Sequence, residues 1–199
     1  MKNTTIFTLA AGIGSLILAS TASADVTLST ELVHLGNTGG AGGQAADVAT
    51  YRVYANMDAG WRLDAVYGNV ANPLSIHAAD GSSFYQNSFG GNTSVNINPA
   101  LLGAFASLAY DTWVTIGSED MNGNALNTVG DMFDNFVETS NGSWFVRPDD
   151  VQGEEVNGQG LIGKFSVLDG SGSLLDDFSS MVVSLQGKDA DGNTWNALG

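Results

Sequence analysis

The sequence predicts an all-β fold, an antiparallel β-sandwich or a jelly-roll-like arrangement with one or two short covering helices. Three observations predict it. Apolar residues recur with a period of two, the spacing that puts alternate side chains of a strand on one face. The apolar runs are separated by Gly-, Asn- and Asp-rich clusters, residues that reach positive φ at little cost and so make tight turns. Hydrophobic residues are 43% of the 199 and aromatics 9%, spread along the chain, which is enough to bury a core.

The first segment reads as an address. Lys2 is followed by a thirteen-residue apolar or small-residue run at 6–18, then by Ala22-Ser23-Ala24, the small-x-small pattern that a signal peptidase accepts. As a helix the run would span about 20 Å, short of a hydrocarbon core of about 30 Å, so a secretory signal peptide at 1–24 is expected in place of a membrane anchor. Residues 25–199 then form a single β-sandwich domain, secreted to the extracellular space or periplasm and without a membrane span. A domain of that length buries roughly 70% of its unfolded surface.

Strands are expected next at 26–35, 51–57 and 61–67. Tyr51, Val53, Ala55 and Met57 share one face of theirs, with Arg52 and Asn56 on the other and Tyr54 between them. Trp61, Leu63, Ala65 and Tyr67 repeat the scheme against Arg62 and Asp64. Asp58-Ala59-Gly60, between the two, suits a bulged hairpin. A strand at 74–77 precedes a short helix at 98–108, with Asn98 as N-cap and Pro99 in the first helical position. A strand at 113–117 is followed by a helical turn at 131–137, where Met132, Phe133, Phe136 and Val137 have helical spacing. Strands at 143–146, 161–168 and 181–186 complete the order.

Composition excludes whole classes of chemistry. Without cysteine there is no disulfide scaffold, Cys-ligated metal site or thiol nucleophile. A formal charge of −15 argues against a nucleic-acid partner, whose phosphates it would repel. His34 and His77 are the only histidines and lack an HExxH context, and no GxSxG elbow is present. GxGxxG occurs at 158–163, but it leads into an alternating, strand-like run where a dinucleotide fingerprint would open a helix.

Three kinds of site remain as expectations. Asp189, Asp191 and Asn193, and likewise Asp120, Asn122 and Asn124, set oxygen ligands at alternate positions around a Gly-kinked turn, the pattern of a Ca²⁺ loop; such clusters are also the commonest turn chemistry. Tyr54, Arg52, Arg62 and Trp195 are the candidate ligand-binding residues: two aromatics off the core faces, and two arginines that would form a small basic island on neighbouring strands. The carboxylate doublets Glu119-Asp120, Asp149-Asp150, Glu154-Glu155 and Asp176-Asp177 offer material for an acid–base pair, although neighbours along a strand point to opposite faces.

Several runs carry a resemblance: TYRVYANM at 50–57, RLDAVYGN at 62–69, NPLSI at 72–76, FYQNSFGGNTS at 84–94, INPAL at 97–101, SLAYDTWVTIG at 107–117, GSWFV at 142–146 and LQGKDADGNTW at 185–195. In these the chain resembles a family of secreted, β-rich proteins from aquatic microbes that has no assigned activity. The resemblance implies secretion and a β-rich domain, and carries no site residue. Some members carry a C-terminal sorting helix; the end at Leu198-Gly199 leads to an expectation of release over anchoring. The strand pattern also resembles cohesin and carbohydrate-binding sandwiches at fold level. Together these readings lead to an expected non-enzymatic binding or structural protein, engaging polysaccharide or matrix and cell-surface proteins. The alternative is an extracellular polysaccharide-active enzyme with paired carboxylates.

Overall fold

The computed structural model of the chain describes residues 8–10, 13–16, 26–40, 45–133 and 135–199. In chain order its strands are β1 (Thr8–Ala10), β2 (Ile13–Leu16), β3 (Thr27–Asn37), β4 (Asp47–Asn56), β5 (Arg62–Gly68), β6 (Leu74–Ala78), β7 (Trp113–Val114), β8 (Asn127–Val129), β9 (Val137–Thr139), β10 (Gly142–Phe145), β11 (Gln159–Leu168), β12 (Phe178–Val182), β13 (Ser184–Lys188) and β14 (Thr194–Ala197). Every pairing between them is antiparallel, so the all-β class is as expected. One sheet has the order β1-β2-β3-β4-β11-β7; a five-stranded sheet, β14-β13-β5-β10-β8, and a three-stranded sheet, β12-β6-β9, complete the structure. The core joins all three: Val53, Phe165 and Val167 from the first, Leu63 and Trp144 from the second, Ile76 from the third. The expected leader and its cleavage site at Ala24 fall mostly outside the described residues, apart from β1 and β2.

Several elements depart from the sequence reading, each for a local reason. β4 and β5 are not a hairpin. Gly60, at φ +79°, helps the 57–61 link carry the chain from one sheet to another, and β4 pairs with β3 and β11 while β5 pairs with β10 and β13. The alternation of β5 also changes phase: a bulge at Asp64, between the pairs Gly187↔Leu63 and Gln186↔Ala65, brings Val66 into the core with Leu63 and leaves Ala65 and Tyr67 only partly buried. Among the described residues of 131–137 the expected helical turn does not form. Met132 is buried, Phe133 bridges Val137, and β9 begins there, because the apolar side chains serve a sheet edge. The expected strand at 181–186 divides at Val183 between β12 and β13, which belong to different sheets.

The expected helix at 98–108 is two 3-10 segments, Pro99–Leu101 and Ala106–Tyr110; Asn98 caps the first, accepting from the Ala100 N–H at 3.0 Å. One α-helical turn, Leu174–Asp177, was not anticipated. Its Asp177 is buried and accepts from the Tyr51 hydroxyl at 2.5 Å and from the N–H groups of Ser171 and Gly172, which ties that loop to β4.

Candidate functional site

The face of the long sheet turned away from the main core carries the chemistry. Its strands place side chains in cross-strand rows, because alternate residues share a face. Register sets Glu31 on β3 beside Arg52 on β4, Arg52 beside Lys164 on β11, and Lys164 beside Trp113 on β7. One row along lie Ser29, Tyr54 and Leu161, and then Thr27, Asn56 and Gln159. The amides there form a ladder: Gln159 Nε2 donates to Asn56 Oδ1 at 2.9 Å, and Asn56 Nδ2 to Thr27 Oγ1 at 3.0 Å.

The segment from Tyr85 to Thr112 covers the middle of this face. Its backbone joins β11 where the Tyr85 N–H donates to the Ser166 carbonyl at 2.8 Å. Beneath it Lys164 is buried, Nζ donating to the Ala109 carbonyl at 2.6 Å and lying 4.7 Å from the Trp113 ring centre. Burial lowers its pKa to about 8, against the pull of Glu119 and Asp111. Asp111, fully buried, accepts from the Asn87 N–H at 2.6 Å and the Gly91 N–H at 2.8 Å. Burial raises its pKa to about 6, which those hydrogen bonds and Lys164 partly offset.

Beyond the cover the face opens into a groove of about 590 Å³, lined among others by Tyr54, Glu119, Asp150, Gln152, Glu154 and Gln159. Tyr54 is held at its rim, its hydroxyl donating to Glu31 Oε2 at 3.1 Å. Burial, then that bond, pushes its pKa up to about 12, so it remains a neutral hydrogen-bonding phenol. Arg52 is fixed by Glu119 at 2.8 Å, with Glu31 at 3.8 Å. Burial opposes its charge, but the Glu119 hydrogen bond and the nearby carboxylates hold it above the usual guanidinium range.

Of the residues singled out from sequence, Tyr54 and Arg52 are brought together here with Glu119, Asp150 and Glu154 of the carboxylate doublets, whereas Arg62 and Trp195 lie elsewhere. Arg62 is on β5, in another sheet, so no basic island forms. Its Nε donates to Asp64 at 2.6 Å and its Nη2 to the Asp150 carbonyl at 2.7 Å, latching the 147–153 loop. Trp195 is buried on β14, stacked on Trp61 with ring centres 5.7 Å apart, because the C-terminal residues form a strand and not a polar loop.

The two Asp/Asn/Gly turns hold their own backbone. Asp189 Oδ1 accepts from the N–H groups of Asp191 at 3.0 Å and Asn193 at 2.8 Å; Asp120 Oδ1 accepts from the Asn122 N–H at 2.7 Å. Asn124 donates to Ser94 Oγ at 2.7 Å and to the Asp120 carbonyl at 2.8 Å. Among the described residues no group of three or more His, Asp or Glu side chains converges as a metal centre. The GxGxxG run lies mostly within β11, as the alternation indicated.

Lys164, Asp111 and the amide ladder are the residues that sequence reasoning missed. Lys164 had a signal, since it alternates with Phe165 and Val167. Among the described residues no helix is long and apolar enough to cross a membrane. No family model, curated protein or solved structure matches the chain.

Proposed function

We propose that the chain is a secreted, non-enzymatic binding protein that takes polysaccharide in the groove beside Tyr54, in cell-surface or matrix adhesion. One observation carries this reading: an open groove of about 590 Å³ is lined by Tyr54 together with hydrogen-bonding side chains, among them Ser118, Asn157 and Gln159. A sugar presents an apolar ring face and a rim of hydroxyls, and such a surface matches both. Because Glu31 fixes the Tyr54 hydroxyl, part of the ordering cost of a stacking contact is met before binding.

A glycan array on residues 25–199, with and without Ca²⁺, tests it. Binding is expected to fall about tenfold or more in Tyr54→Ala, the equivalent of about 1.4 kcal/mol. No bound glycan, or equal binding by the variant, would sink the reading. Calcium enters as a variable because both Asp/Asn/Gly turns retain oxygen ligands, and a melting temperature unmoved by chelator would remove it.

A second reading has its own observation: Glu119, Asp150 and Glu154 line the same groove. A polysaccharide-active enzyme would place an acid and a base across it. Release of reducing ends from a bound glycan, abolished in Glu154→Gln, would favour that reading.

A further inference from the structure

The outermost strand pairing of the long sheet involves the expected leader. Strand β2 lies antiparallel on β3 with Gly14 opposite Thr30, Ser15 opposite Ser29 and Leu16 opposite Leu28. The backbone groups of β3 on that side are therefore set for an added antiparallel strand. A chain that begins at Asp25 keeps both core clusters and the β3–β4 pairing. The edge it uncovers is long and unprotected. β3 has eleven residues and contains no Lys, Arg or Pro, the residues that usually blunt a sheet edge. Its one carboxylate, Glu31, is occupied by the Tyr54 hydroxyl and lies 3.8 Å from Arg52. Beyond the regular stretch, which a bulge between Leu32 and His34 ends, Leu32, Val33 and Leu35 are 41%, 37% and 54% exposed.

We infer that the edge of β3 from Leu28 to Leu32 is a strand-addition surface whose occupant is the same edge of a second copy. The inference rests on the secretion reading, because cleavage after Ala24 is what opens the edge. Antiparallel addition, the orientation in which β2 sits, is also the hydrogen-bonded pairing that a two-fold axis produces from two identical strands. The contact would join two four-stranded halves into one sheet and carry two grooves on one particle, so that a polymeric ligand could be held at two points.

The test uses residues 25–199, which hold both core clusters. Sedimentation velocity at about 100 µM, a concentration suited to a short interface of micromolar affinity, is expected to show a dimer. The chain is cysteine-free, so Leu32→Cys introduces a unique thiol. A bis-maleimide reaching about 14 Å, a four-residue stagger at strand rise, should link its copies at least about tenfold faster than those of Val70→Cys, an exposed site elsewhere. Leu32→Lys should weaken association about tenfold or more. A monomer at that concentration overturns the inference, and so does a dimer in which both thiols link equally fast. Separately, the mass of the protein exported from the full chain reports whether cleavage follows Ala24. An exported product beginning at Met1 would overturn cleavage after Ala24, and with it the uncovering of the edge in the exported protein, whereas the measurement on residues 25–199 tests the edge itself.

Discussion

Lys164 and Asp111 are opposite charges buried under one cover, and burial acts on them in opposite directions: the lysine pKa falls to about 8 and the aspartate pKa rises to about 6. For Asp111 the folded state holds the proton more tightly than the unfolded chain, so its contribution to stability declines as pH rises from about 4 to 6. For Lys164 the folded state releases the proton early. Between about pH 8 and 10.5 the unfolded chain binds more protons, and stability should climb with pH across that window. The climb is on the order of 3 kcal/mol if the whole shift is expressed. Urea unfolding at pH 7.5, 9 and 10.5 should therefore show a rise in the native chain that Lys164→Met lacks; the tyrosines titrate in both and cancel. Parallel profiles would contradict the burial of a charged lysine. This pair also marks a limit of reading residues in one dimension. That Lys164 faces away from Phe165 follows from the alternation of β11, but its burial depends on Ala109 and Trp113, more than fifty residues away, and on a 3-10 cover without a marked apolar stripe. Trp195 erred in the other direction, since its polar neighbours hid a four-residue strand.

The cover is held to the sheet at a few points, and Asp111 is central among them because its carboxylate gathers the loop at Asn87 and Gly91. Gly90 lies between those anchors, and a Cβ there would fall on Asp111 Oδ2 with Leu108 Cδ1 at 3.0 Å. Both carboxylate oxygens already accept backbone hydrogen bonds, so the group cannot swing aside without losing one. Gly90→Ala should cost about 1–3 kcal/mol and increase proteolysis within 85–112, whereas Gly103→Ala, with open space around the added Cβ, should change stability by less than about 0.5 kcal/mol. Equal urea midpoints for the two variants would refute the clasp. Elements of this kind were legible only where chemistry is local. The Asn98 cap followed from its own side chain, and the long strands from their alternation. The bulge at Asp64 and the passage between sheets after β4 have no such signal, because a bulge is a relation between two strands and both outcomes satisfy the same Asp-Ala-Gly turn residues.

Acidity acts on the molecule as a whole. The chain has a formal charge of −15, and cleavage after Ala24 would remove Lys2 and no acidic residue, leaving a balance one unit more negative. Two such particles repel each other before any edge can pair. Yet the edge itself is nearly neutral, with Glu31 near Arg52 and no other charge on β3. Association driven by backbone hydrogen bonds and exposed leucines against a long-range repulsion has a definite salt signature. Raising ionic strength from about 0.02 to 0.5 M shortens the Debye length from roughly 20 Å to roughly 4 Å and removes the repulsion while leaving the contact intact. The dimer of residues 25–199 should therefore tighten with salt, by about tenfold over that range, as read from sedimentation isotherms. Binding of a neutral polysaccharide in the groove, which depends on stacking and uncharged hydrogen bonds, should change by less than about twofold over the same series. A dimer that loosened with salt would place ion pairs at its interface and exclude β3, since one paired carboxylate cannot supply them.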